Sequence, residues 1–137
     1  MTGPTPALNA MLICDSVITD RNTGKNSLIG IFDIIHANSF PARHPSLSVY
    51  ARVTDAQGHY TFKLELIDLN ANQTIGEGAT PVVEIPDRLL PHDLVFNLQG
   101  LVFQTEGRYE FRLYADGQFV GHHSFQVRSL QAGGARS

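Results

Sequence analysis

Apolar and polar residues alternate with a period of two along most of this chain, and no segment longer than ~10 residues shows the period near 3.6 that marks a helix. The clearest case runs from Gly107 to Val127. Tyr109, Phe111 and Leu113 fall on one face, with Arg108, Glu110, Arg112 and Tyr114 on the other. After Asp116-Gly117 the residues Phe119, Gly121, His123, Phe125 and Val127 again share a face, so the two runs read as an antiparallel hairpin. A two-residue loop at Asp116-Gly117 would set Phe125 opposite in face to Phe111. A three-residue loop, Ala115 to Gly117, pairs Leu113 with Phe119, Phe111 with Gly121 and Tyr109 with His123, and unites the two apolar stripes. The expected turn is type I with Gly117 left-handed in a bulge.

The same pattern divides the rest of the chain. A first strand from Ala10 to Thr19 and a second from Ser27 to His36 are apolar on both faces, separated by the polar loop 20–26 with Gly24 at its turn. Pro41 and Pro45 punctuate a connection suited to a crossing between sheets. Leu47, Val49, Ala51 and Val53 alternate with Ser48, Tyr50 and Arg52, which predicts a half-exposed third strand. In the fourth, Phe62, Leu64 and Leu66 point inward, and the switch to Ile67 and Leu69 predicts a bulge near Leu66–Ile67. A fifth strand lies within Thr74 to Glu84. The connector 86–93 holds at most one helical turn because of Pro91. A sixth strand starts at Leu94 and bends at Gly100. Seven to eight short strands spaced by turns predict an all-β antiparallel sandwich.

At 137 residues the chain is long enough for one core without covalent staples. Residues 1–9 read as a flexible leader, 10–129 as the β-sandwich domain and 130–137 as a flexible tail. The net charge of -3 argues against a nucleic-acid surface, which should be basic. One cysteine, Cys14, excludes an internal disulfide and fits a reducing compartment. No apolar run approaches the ~20 residues of a membrane span, and no signal-peptide pattern opens the chain. The expectation is a cytoplasmic protein with no membrane or nucleic-acid partner.

The stretch from Phe103 to Tyr109 resembles the corner that many immunoglobulin-like domains place before their penultimate strand, where a tyrosine hydroxyl ties down the incoming connection. Tyr109 would play that part. A second resemblance rests on Cys14-Asp15, Gly24-Lys25, the run Ser27-Leu28-Ile29-Gly30-Ile31-Phe32-Asp33 and the Gly107-x-Tyr109-x-Phe111 hairpin. Together these look like an uncharacterised bacterial family of single-domain proteins, over about residues 10 to 128. The resemblance implies an immunoglobulin-like β-sandwich and a bacterial source, and transfers no catalytic role.

Asp15 and Asp33 each interrupt an apolar strand, where an unpaired carboxylate would be costly to bury. They could be an acid/base pair or cation site across a hairpin, joined by a loop histidine such as His92, or simply accept hydrogen bonds at strand ends. The six histidines lack zinc-type spacing: His122 and His123 are adjacent and face opposite sides of a strand. His123 is expected to be a half-buried partner of Tyr109. Cys14 has apolar neighbours and no local base, as a core thiol would. Phosphate-loop and serine-nucleophile motifs are missing. No catalytic residue, metal or cofactor is implied.

The expected function is therefore a non-catalytic module that binds a protein of unknown identity, or a second copy of itself. The surfaces expected to do so are the 20–26 loop, the 86–93 connector with Arg88 and Leu89, and the Arg112/Tyr114 strand face, since Arg and Tyr are over-represented at interface hot spots. The alternative is a small-molecule or cation-binding protein, or weak hydrolase, built on Asp15, Asp33 and His92.

Overall fold

The computed structural model describes residues 3–130, and the regular elements along them are strands. In chain order they are β1 (Ala7–Thr19), β2 (Asn26–Ile31), β3 (Ile34–Ala37), β4 (Ala42–Thr54), β5 (Gly58–Tyr60) and β6 (Phe62–Asp68). Then come β7 (Gln73–Ala79), β8 (Val83–Ile85), β9 (His92–Phe103), β10 (Gly107–Ala115) and β11 (Gln118–Ser129). One sheet has the order β2-β1-β4-β9 and a second β3-β11-β10-β6-β7, while β5 and β8 form a short ribbon. The fold is all-β, with every pairing antiparallel except β11 with β3. Ile13, Val49, Val53 and Phe96 of the first sheet share one buried core with Leu64, Leu66, Phe111 and Phe125 of the second. Across the two sheets the Phe103 ring meets Tyr109 edge-on at 4.9 Å. Among the described residues no helix is long and apolar enough to cross a membrane.

Among the described residues eleven strands replace the seven or eight expected, for identifiable reasons. The run 27–36 is two strands because the chain changes sheets in its middle. Phe32 N still donates to Ile13 O of β1 at 3.0 Å, while Asp33 O already accepts from Gln126 N of β11 at 3.0 Å. The run 74–84 divides around Pro81, which cannot donate to a ladder. Residues 58–60 add a short strand against β8. The crossing between sheets expected near Pro41 is present, since β3 and β4 belong to different sheets. Pro45 itself lies inside β4, beyond the stretch that pairs with β1 and at a position that the β4–β9 pairing skips between His44–Leu101 and Ser46–Gln99, so no ladder bond is asked of it. β1 begins at Ala7, with Leu8 already paired to Val53, so the strand starts inside the expected leader. Residues 1–2 and 131–137, the latter most of the expected tail, lie outside the described residues.

The bulge expected at Leu66–Ile67 is where β6 shifts register against β7. The terminal hairpin reaches the expected union of apolar stripes by another route. Its loop is two residues, Ala115 pairing with Gln118, and both Asp116 (φ 49) and Gly117 (φ 82) are left-handed, as a type I′ turn requires. The odd residue is instead Val120, which opposes nothing between the Tyr114–Phe119 and Leu113–Gly121 pairs. Phe111 consequently pairs with His123 and Tyr109 with Phe125, not with Gly121 and His123 as expected. The bulge also turns Phe119 to solvent, where it meets Tyr114 at 5.8 Å.

The β1–β2 hairpin does not continue the plane of its sheet. Arg52 of β4 pairs with Ala10, and Thr19 lies nine residues further along β1, about 30 Å away in a flat sheet at ~3.3 Å per residue. Yet Asn26, which pairs with Thr19, donates to Asp93, the residue that forms an ion pair with Arg52. The distal hairpin must therefore fold back over the outer face of β4 and β9. The pivot is Asp15/Gly30, where the ladder is interrupted and Gly30 adopts φ +70. A Cβ on Gly30 would lie 2.2 Å from Asp15 Oδ2, so the position excludes any side chain twice over. This flap corrects the half-exposed reading of β4. Ser48 and Tyr50 point away from the core but are buried, at 4% and 8% exposure, with Cys14 beside them at 0%.

Candidate functional site

Where the flap tip meets the start of β9, a cleft of about 520 Å³ opens between Thr19, Gly24 and Asn26 on one side and Arg52, Pro91, His92, Asp93 and Val95 on the other. The 20–26 loop is preordered by Asp20: its Oδ1 accepts from Asn22 N at 2.8 Å, and its carbonyl accepts from Gly24 N. At the floor, Asp93 binds Arg52 through two hydrogen bonds of 2.7 and 3.2 Å and accepts from Asn26 Nδ2 at 3.0 Å. Asn26 Oδ1 in turn accepts from the Thr19 hydroxyl at 2.6 Å. Burial alone would push the Asp93 carboxyl up, but hydrogen bonds from Arg52, Asn26 and Tyr50, with the Arg52 charge, hold it below its ordinary value. The Arg52 guanidinium is raised reciprocally by Asp93, and burial together with Asp93 raises the Tyr50 phenol.

The connector runs from the core to this cleft. After Pro86, Asp87 Oδ1 accepts from Leu89 N at 2.9 Å and its carbonyl accepts from Leu90 N at 3.2 Å, a single turn stopped by Pro91. Arg88 is exposed, and Leu89 and Leu90 are 86% and 61% exposed. Two of the three surfaces picked out in the sequence, the 20–26 loop and the 86–93 connector, thus converge on one cleft.

The third does not join them. Arg112 and Tyr114 lie on the outer face of the second sheet, on the far side of the core, where Arg112 Nε donates to Glu110 and Tyr114 packs against Phe119. Asp15 and Asp33 are not brought together into a site. Asp15 is exposed over Gly30 at the flap pivot, whereas Asp33 binds His123 Nε2 of β11 at 2.7 Å, and neither lines the cleft that holds His92. Among the described residues no group of three His, Cys, Asp or Glu side chains could hold a metal ion. His123 is thus a partner of Asp33 and not of Tyr109. The Tyr109 hydroxyl donates to Thr105 O at 2.6 Å, the corner bond its sequence context predicts. The Cys14 thiol is pushed up by burial and by neighbouring Asp15, which disfavours the thiolate.

Sequence reasoning missed the Arg52–Asp93–Asn26 network. Asp93 beside His92 at a loop end was visible, but nothing local signals that Arg52 and Asn26 close on it: the β4–β9 pairing sets Arg52 opposite Asp93, and the fold-back of the flap brings Asn26 there.

The chain belongs to a family of unknown function, DUF6941, whose model matches residues 9–128. No curated protein matches it in sequence. Among solved structures, it is similar to the Pseudomonas fluorescens alkylpurine DNA glycosylase AlkC bound to DNA containing an abasic site analog, with TM-score 0.47 and 10% identity over 86% of this chain and 30% of that one. It is also similar to a beta-glucosidase from Listeria innocua, with TM-score 0.45 and 11% identity over 90% of this chain and 16% of that one. The chain spans less than a third of either protein.

Proposed function

We propose that this member of DUF6941 is a non-catalytic module that binds a protein partner through the end formed by the 86–91 connector and the flap tip. The observation that carries the reading is the display of Leu89 and Leu90, 86% and 61% exposed, on a turn tied to Asp87 and bounded by two prolines. Neither leucine serves the core. An apolar pair on a preordered turn loses little conformational entropy on docking, and the adjoining cleft supplies a polar rim. Of the three titratable side chains lining that cleft, Arg52 and Asp93 hold each other, so neither is poised as a general acid or base. The single, buried Cys14 favours placing the module in a reducing compartment such as the cytoplasm, and the family resemblance favours a bacterial source.

A second reading, a small-molecule site, draws on the size of the cleft, about 520 Å³ and within the usual range for ligand pockets, and on His92 at its wall. Affinity purification of the tagged full chain from its host, followed by mass spectrometry, separates the two. A stoichiometric protein lost on Leu89→Asp/Leu90→Asp supports the module. Loss only with Arg112→Ala/Tyr114→Ala would move the interface to the outer face of the second sheet. Co-elution of a small molecule with no protein would replace the first reading by the second.

A further inference from the structure

We infer that the protein also holds a small organic cation, a methylated ammonium group on an apolar body, in the cleft at the flap pivot. This cleft shares no lining residue with the one at the flap tip, so the inference does not depend on the proposed protein partner.

The pivot cleft, about 300 Å³, opens where the chain leaves β2 in the first sheet and enters β3 in the second. Its apolar wall includes Ile34, Ile35 and Phe32, and the Phe32 ring lies against the His44 ring with centroids 6.0 Å apart. Its one carboxylate is Asp15, set against Gly30. The left-handed glycine leaves open the space that a side chain would need, and the Asp15 carboxylate occupies it. Asp15 is exposed, so a ligand reaches it directly. Among the described residues nothing donates to it or pairs with it: Asp33 is held by His123, Asp93 by Arg52, and the Lys63 and Arg112 cations by glutamates. An unpaired carboxylate beside an aromatic ring attracts an organic cation twice, by charge and by the ring quadrupole.

The kind of cation follows from what the wall lacks. A metal ion needs several ligands, and among the described residues no group of three His, Cys, Asp or Glu side chains could hold one. A primary ammonium brings three N–H donors, against the single carboxylate in this wall. A methylated ammonium brings at most a few donors, and its methyl groups sit against isoleucine and phenylalanine without leaving a polar group unsatisfied. Room for the rest of the ligand lies beyond His44. A second cleft, about 280 Å³, shares Ile35 and His44 with the first and continues past Pro41 and Phe103.

Amide shifts of the full chain, titrated with choline and with its uncharged isostere 3,3-dimethyl-1-butanol, test this. Choline should saturate at about 1 mM, with shifts centred on residues 15, 30–35 and 44, and the alcohol should bind about tenfold more weakly or not at all. Benzyltrimethylammonium, with its larger apolar body, should bind several-fold more tightly than choline. Asp15→Asn keeps the shape of the side chain and should abolish the preference for choline over the alcohol, a ratio that a merely structural role of Asp15 would not change. Phe32→Leu should weaken choline several-fold while leaving the charge preference in place. No saturable shift with either cation up to about 20 mM, equal binding of the alcohol, a preference that survives Asp15→Asn, or shifts confined to the flap tip and connector would overturn the inference.

Discussion

Gly30 and Asp93 hold the flap from opposite ends, one by geometry and one by bonding. At Gly30 the backbone is left-handed and the space for a Cβ is filled by the Asp15 carboxylate. Gly30→Ala should lower unfolding stability by about 1–3 kcal/mol, measured by chemical denaturation, whereas substitution at exposed Lys25 should change it by less than about 1 kcal/mol. Asp93 is a carboxylate whose native value is held below its unfolded one, so its contribution is present above the unfolded value and disappears as pH falls through the native one. Asp93→Asn should therefore lower stability by about 1–2 kcal/mol at neutral pH, and the difference from the parent should shrink once the pH drops below about 4. A difference that stays constant down to acid pH would mean that the charge of Asp93 does not stabilise the fold. Tyr109→Phe removes only the bond to Thr105 O and leaves the ring stacked on Phe125, for an expected loss of about 1 kcal/mol.

At the scale of elements, the flap is the part whose behaviour can be read without unfolding the rest. It covers Cys14, which is fully buried on the outer face of its sheet and not in the shared core. Asn26→Ala removes the hydrogen bond between flap tip and β9, so the reaction of Cys14 with a thiol reagent should accelerate several-fold while the thermal transition moves little. Equal rates in the two proteins would show that the tip bond does not govern opening. The hairpin β10–β11 illustrates how much an element owes to its own sequence. Its apolar stripes demanded a register that brought them together, and the chain provides it. Both a three-residue loop and a two-residue loop with a bulge satisfy that demand. The choice fell to the bulge at Val120, which leaves Asp116 bonded through its N–H to Thr61 O on the neighbouring β6 side. That contact belongs to the sheet and could not be read from the hairpin alone.

For the molecule as a whole, the alternation of apolar residues determined an all-β fold with two layers, the inward sets of β4, β6 and β10, the bulge at Leu66–Ile67 and the corner at Tyr109, but not the inward set of β11, from which the Val120 bulge removes Phe119. Each depends on the period-two geometry of a strand or on contacts a few residues apart. The sequence also marked the 20–26 loop and the 86–93 connector as surfaces, because turn residues and an apolar pair in a polar setting are local signals. Only the tertiary structure decided that these two segments meet, that Asp15 and Asp33 go to separate places, and that Arg112 and Tyr114 lie across the core from the cleft. The physical reason is the same in each case. A change of sheet at Phe32–Asp33 and a fold-back at Gly30 set which distant strands become neighbours, and both are settled by long-range hydrogen bonds and burial that leave no periodic trace along the chain.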